Sequence, residues 1–90
     1  MKQTETPISD PSHEVARIEE LIRDLAGESS TPNGLVRENL EAARYYLLGS
    51  MPREYRMSLK LASSHLPDLP DKNLQSRVAE FLHSQETHTG

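Results

Sequence analysis

The apolar residues of this chain recur at intervals of three and four positions, the spacing of one face of an α-helix. Four such stripes follow one another, and each predicts an amphipathic helix that buries its stripe against neighbouring helices. The predicted fold class is therefore all-α, either a small four-helix bundle or two stacked helical hairpins. The stripes consist of Val15, Ile18, Ile22 and Leu25; Val36, Leu40, Ala43 and Leu47; Tyr55, Leu59, Ala62 and Leu66; and Leu74, Val78, Phe81 and Leu82.

Residues that start and stop helices flank the first stripe. Asp10 and Pro11 suit the N-cap and the first helical position, because the carboxylate can accept an orphan amide hydrogen and proline has no amide hydrogen to leave unpaired. Gly27 suits the end of this helix, since glycine adopts the left-handed conformation without steric cost. Residues 28–34 form a cluster of turn-forming types and predict a loop.

Similar signals delimit the later helices. We number the predicted helices 1 to 4 in the order of their stripes. Thr31 or Asn33 is predicted to cap helix 2, and Gly49 is predicted to end it. Two prolines in the stretch 66–71 end helix 3, and either Asp68 or Asp71 can cap helix 4.

The pattern predicts one helical domain over residues 10–84 with a flexible tail at each end. Residues 1–9 hold one large apolar side chain after the initiator methionine, and residues 85–90 hold none. Segments this polar bury too little surface to offset the entropy lost on ordering them.

The third stripe also allows a different secondary structure. Residues 55–61 alternate apolar and polar side chains with period two, which is typical of a half-buried strand. A single strand would leave its backbone groups unpaired unless another chain supplied a neighbour. We therefore predict a helix and keep the strand as the alternative.

Composition and charge narrow the class of protein. The 90 residues are 34% hydrophobic and 27% charged, and they include neither cysteine nor tryptophan, which excludes a disulfide scaffold and a cysteine-based zinc module. No apolar run is long enough for a membrane span, and the polar start predicts no secretory signal, so we expect a cytoplasmic protein. The net charge of −4 argues against a nucleic-acid partner.

The residues that could carry chemistry are not arranged for it. No two histidines lie three or four positions apart, the spacing with which a helix directs two imidazoles at one metal ion. Adjacent serine and histidine residues point about 100° apart on a helix and cannot form a nucleophile–base pair. We expect no catalytic residue, no metal and no cofactor.

The acidic residues concentrate in helix 1, whereas the middle third of the chain is basic. Residues 1–30 have a net charge of −4 and residues 31–60 a net charge of +2. Glu19 lies four positions before Arg23, an order that favours an ion pair along the helix. We therefore expect Glu19, Glu20 and Asp24 to form a solvated, partly self-paired face.

Helix 3 has a second apolar face. At 100° per residue, Met57 and Leu61 lie nearly opposite the third stripe, and Arg53, Arg56 and Lys60 flank them. In one interpretation helix 3 is central, packs on both sides and directs its cations at acidic helix 1. In the other, these five residues form a binding surface for an acidic partner, and Tyr45 of helix 2 joins them as an aromatic anchor.

The second interpretation predicts a small interaction module, adaptor-like or regulatory, without catalytic activity. Its partner is another protein or a second copy of the chain. A homodimer would also supplement a core that is thin for a domain of this size.

A short resemblance points to a different function. The residues Asp24-Leu25-Ala26 and, after nine intervening residues, Val36-Arg37-Glu38-Asn39-Leu40 resemble the helix-turn-helix of bacterial repressors. The resemblance covers about 17 residues. It implies a DNA-binding transcription regulator in which helix 2 reads the duplex.

Overall fold

Four α-helices make up most of residues 12–89, the part of the chain that the computed structural model describes, with side chains described as far as residue 85. No strand occurs in this part, which confirms the predicted all-α class. The predicted cap at Asp10 and Pro11 and the predicted tail at residues 1–9 lie outside the described residues. The helices are α1 (Ser12–Leu25), α2 (Thr31–Leu48), α3 (Pro52–His65) and α4 (Lys72–Thr89), with a 3-10 turn at Leu66–Asp68.

The helices close into a ring around one core. α1 packs against α2 and α4, and α3 packs against the same two helices from the other side. This arrangement is the four-helix bundle, the first of the two predicted architectures. All four predicted stripes contribute buried apolar side chains, among them Ile18, Leu25, Val36, Leu40, Ala43, Tyr55, Leu59, Ala62, Leu74, Val78, Phe81 and Leu82.

Residues 55–61 are helical, so the strand alternative is wrong. A helix places Tyr55, Leu59 and Ala62 on one side, where all three are buried. An extended chain would instead have placed Met57 on the same side as Tyr55 and Leu59. Burial in a bundle core therefore selects the 3.6-residue period over the two-residue period.

Helix α2 begins earlier than its loop-like sequence predicts. Ser30 is the N-cap, and its hydroxyl accepts a hydrogen bond from the Asn33 amide at 3.2 Å. Asn33 is 1% exposed, and its side-chain Nδ2 donates to the Leu25 carbonyl at the end of α1 at 3.1 Å. Residues 31–34 are therefore the first turn of α2, held by bonds that close the turn onto α1.

The glycines near the ends of α1 and α2 do not adopt the left-handed conformation. Gly27 continues the chain through a tight turn, in which its amide donates to the Asp24 carbonyl at 3.2 Å. At the end of α2, Gly49 has φ −87° and the left-handed position falls one residue later, on Ser50, with φ 56°. Bonds from the Ser50 and Met51 amides to the Leu47 and Tyr46 carbonyls complete a Schellman motif around this serine.

Helix α4 starts as predicted and ends later. Asp71 is its cap, with Oδ1 accepting from the Asn73 and Leu74 amides at 2.9 and 3.2 Å. The helix continues beyond the predicted boundary at residue 84, as far as Thr89. Gln85, which the sequence assigns to a tail, is 8% exposed and belongs to the packed domain. The sequence pattern did not predict its burial, because Gln85 is polar and its hydrogen bond with Tyr55 forms only in the folded chain.

The buried side-chain amide of Asn33 allows a matched test of the contact between α1 and α2. We expect Asn33→Ala to lower the free energy of unfolding by about 1–3 kcal/mol, because it leaves the Leu25 carbonyl without its donor and the Ser30 hydroxyl without Asn33 Oδ1, to which it donates at 2.9 Å. Asn39→Ala removes an exposed bond from Nδ2 to the Leu35 carbonyl, and we expect a change within about 0.5 kcal/mol. Urea unfolding followed by circular dichroism measures both, and equal effects would contradict the assigned role of Asn33.

Candidate functional site

The outer face of α3 carries five of the six predicted binding residues, and we call them the α3 surface: Arg53, Arg56, Met57, Lys60 and Leu61. All five are exposed. Met57 is 58% and Leu61 48% exposed, although both are large apolar side chains one helical turn apart. Neither is a core residue, so the interpretation of α3 as a helix packed on both apolar faces is wrong.

The cations of α3 do not pair with the acidic residues of α1. Arg44 of α2 donates to Glu19 at 2.8 Å, and Arg77 of α4 lies 2.7 Å from Asp24 and 3.9 Å from Glu20. The expected pair between Glu19 and its own helix does not form. Because α1 and α3 lie diagonally across the ring, α2 and α4 are the helices close enough to reach the acidic face.

Arg53, Arg56 and Lys60 consequently form no ion pair with any residue in the described part of the chain. They lie within eight positions of one helix and beside the exposed apolar pair. Only Glu54, on the far side of Met57, brings an opposite charge to this stretch of α3.

A groove of about 590 Å³ runs along the α3 surface on the side of α4. Buried Leu59, Leu82, Tyr55 and Gln85 line its floor, and three exposed cations line its rim. We call it the α3–α4 groove. Its lining residues are Arg53, Tyr55, Arg56, Met57, Leu59, Lys60, Ser63, Leu82 and Gln85.

A buried hydrogen bond closes one end of the α3–α4 groove. The Tyr55 hydroxyl donates to Gln85 Oε1 at 2.8 Å and so joins α3 to the last turns of α4. Burial raises the pKa of the Tyr55 hydroxyl well above its ordinary value of 10, and the negative charge of Glu14 on α1 raises it further. The hydroxyl is therefore a neutral donor throughout the physiological range.

A second groove, of about 540 Å³, lies on the other side of the α3 surface, towards α2. We call it the α2–α3 groove. Arg53 and Met57 border both grooves, so Met57 forms part of the ridge between them. Its lining residues are Asn39, Ala42, Tyr46, Arg53, Glu54, Met57, Ser58 and Leu61.

Tyr45, the sixth predicted binding residue, lines neither groove. It is 69% exposed, and its ring packs edge-on against Tyr46 with centroids 5.5 Å apart. Tyr46 is the tyrosine that borders the α2–α3 groove. Sequence periodicity places the two tyrosines on adjacent sectors of α2, but it does not show which sector lies next to α3.

Other site chemistries find little support in the described residues. Among the described side chains of residues 12–85, no three metal-ligating groups come together, and no helix of the described chain is long and apolar enough to cross a membrane. Val36, the first residue of the second segment that resembles a helix-turn-helix, lies five positions inside α2 and is fully buried. The exposed side chains near it include the acidic Glu38 and Glu41.

Tyr55→Phe tests the bond between α3 and α4. We expect it to lower the free energy of unfolding by about 1–3 kcal/mol near pH 7, because the Gln85 oxygen loses its donor in a buried position. Tyr45→Phe, at an exposed tyrosine, should change it by no more than about 0.5 kcal/mol. Urea titrations of the wild type and both variants give the comparison, and equal effects would contradict the structural role of the bond.

The raised pKa of Tyr55 also predicts the effect of alkaline pH. A group with a higher pKa in the folded than in the unfolded chain contributes stability fully below its unfolded value of 10 and loses it as the pH rises further. The stability difference between the wild type and Tyr55→Phe should therefore stay constant up to about pH 9 and shrink as the pH rises from about 10 to about 12. A stability difference that stays constant over this range would contradict a raised pKa of Tyr55 in the folded chain.

Comparison of the chain with protein-family models, with curated proteins and with solved structures finds no match in any of the three. The chain's own residues must therefore indicate its function. Their geometry identifies the α3 surface and its two grooves as the candidate site.

Proposed function

We propose that this chain is a small helical interaction module that binds an acidic, partly apolar segment of another protein through the α3 surface. One observation carries the proposal: exposed Met57 and Leu61 lie beside three cations that have no ion pair in the described structure. The module acts as an adaptor or regulator without catalysis. Its polar, cysteine-free composition favours the cytoplasm as its location.

The residue types of the α3 surface suit protein recognition. Methionine and arginine are enriched in protein–protein interfaces, where apolar contacts at the centre exclude water and charges around them orient the partner. Met57 and Leu61 lie four positions apart, so one partner segment can cover both side chains. The unbranched, polarizable side chain of Met57 can adapt to the shape of that segment.

Charge favours another protein over a second copy of this chain. Two α3 surfaces placed face to face would bring together three cations from each copy and oppose them with one Glu54 from each. The acidic face of α1 is no better as a counterpart, because Arg44 and Arg77 already engage its carboxylates. Contact between two different faces of identical chains also tends to extend into open assemblies. An acidic segment from elsewhere meets none of these obstacles.

A peptide selection on the wild-type chain tests the proposal. We expect random peptides of about twelve residues that bind the immobilised chain to combine Asp or Glu with Leu, Phe or Ile. In titrations with a labelled selected peptide, we expect the double variant Met57→Ser, Leu61→Ser to weaken binding at least about tenfold. The triple reversal of Arg53, Arg56 and Lys60 to Glu should do the same, and added salt should weaken binding to the wild type.

The control combines Leu48→Ser and Lys72→Glu, which change one exposed apolar and one exposed basic residue outside the α3 surface. We expect it to bind as the wild type does. Circular dichroism should show unchanged helical content for all three variants. Loss of folding in the Met57 and Leu61 variant would show that these residues are needed for the core, contrary to the proposal.

Light scattering tests the alternative that the α3 surface binds a second copy of the chain, and DNA titration tests the alternative that the chain binds DNA. We expect a monomer in dilute solution. A stable dimer that the Met57 and Leu61 variant dissociates would assign the α3 surface to a second copy instead. Salt-sensitive binding of duplex DNA, in the absence of peptide binding, would replace the proposal with the helix-turn-helix interpretation.

A further inference from the structure

We infer that the α3–α4 groove is the anchor point of this interaction and takes one apolar side chain whose neighbours in the partner are carboxylates. The inference rests on the proposed function and specifies where the partner docks. The two grooves flank the same ridge and are similar in size, so size alone does not choose between them. The charge of their rims and the side chains of their floors distinguish the two grooves.

The rims of the two grooves differ in charge. Among the side chains that the structure describes, the α3–α4 groove is lined by Arg53, Arg56 and Lys60 and by no carboxylate. In the α2–α3 groove, the charged lining residues that the structure describes are Arg53 and Glu54, whose formal charges cancel. An acidic segment is therefore attracted to the α4 side of the ridge. Arginine adds geometric selectivity, because its planar group can bind a carboxylate through two parallel hydrogen bonds.

The floor of the α3–α4 groove suits an apolar side chain. Leu59 and Leu82 line it with core side chains that are 8% and 6% exposed. The Tyr55 hydroxyl and Gln85 Oε1 already bond to each other, so an entering apolar group strips neither of them of its partner. Each groove also contains one buried polar group with no hydrogen bond to another residue of the described chain, Gln85 Nε2 here and the Ser58 hydroxyl in the α2–α3 groove, so the two buried leucines are what distinguishes this floor.

The size of the α3–α4 groove is adequate for an anchor. Its volume of about 590 Å³ lies within the range of roughly 300–1,000 Å³ that is usual for ligand sites. Interfaces commonly draw most of their affinity from a few anchors that fill such pockets, with weaker contacts around them. Here the apolar anchor would occupy the groove, while Met57 and Leu61 would support the rest of the partner segment on the ridge.

Two matched variants test this placement. Ser63→Phe fills the α3–α4 groove, and Ala42→Phe fills the α2–α3 groove; neither changes a charge, and Ser63 and Ala42 both lie outside the fully buried core. The probe is a labelled peptide of glutamate residues around one central phenylalanine, compared with a version that has alanine at the centre. We expect Ser63→Phe to weaken the phenylalanine probe at least about tenfold and Ala42→Phe to leave it within about twofold. The alanine probe should bind the wild type at least about tenfold more weakly than the phenylalanine probe.

A measurement on the wild type keeps the test independent of whether the filled variants fold. On addition of the phenylalanine probe, the methyl NMR signals of Leu59 and Leu82 should shift more than that of Ala42. Larger shifts at Ala42, or a block by Ala42→Phe and not by Ser63→Phe, would overturn the inference and leave the proposed function intact. Equal binding of the two probes would show a purely electrostatic contact and would also overturn it. If neither this probe nor any selected peptide binds the wild type, the proposed function itself fails.

Discussion

A closed ring of four helices gives each helix two neighbours, and this constraint determines what α3 can bury. α3 has apolar residues on two nearly opposite faces, but α2 and α4 both lie on its inner side. Tyr55, Leu59 and Ala62 fill the space between those neighbours. Met57 and Leu61 then have no helix within the bundle to cover them. The exposed ridge and the two grooves beside it follow from the number of helices and their order in the ring.

The same geometry determines which charges are neutralised within the bundle. The acidic face of α1 lies next to α2 and α4, and each of these helices supplies one arginine, Arg44 and Arg77, to it. These pairs are partly exposed, and each contributes little to stability. Their larger consequence is for binding, because the carboxylates that could have attracted the α3 cations are already occupied. A chain with a net charge of −4 thus presents a local basic surface.

The ends of the helices show how tertiary contacts displace local signals. Ser50 adopts the left-handed conformation beside a glycine that could have adopted it more easily, because the path from α2 into α3 places the Schellman bonds around Ser50. Asn33 belongs to a run of turn-forming residues, yet it is buried in the first turn of α2 because the end of α1 provides an acceptor for its amide. Gln85 is drawn into the domain by the Tyr55 hydroxyl. For Asn33 and Gln85 the outcome depends on a partner in another helix, whereas for Ser50 it depends on the direction in which the chain continues.

The sequence by itself determined the helices, their approximate lengths and most of the side chains of the core, because a repeat of three and four apolar positions can be buried on one side only as an α-helix. It also placed Met57, Leu61 and the three α3 cations on one common face, which depends on helical geometry alone. Only the tertiary structure decided that this face is uncovered, that Tyr46 rather than Tyr45 borders it, and that Arg44 and Arg77 hold the acidic residues of α1. These outcomes depend on which helices become neighbours. Which helices become neighbours depends on the packing of the whole chain, and the residue pattern of a single helix does not predict it.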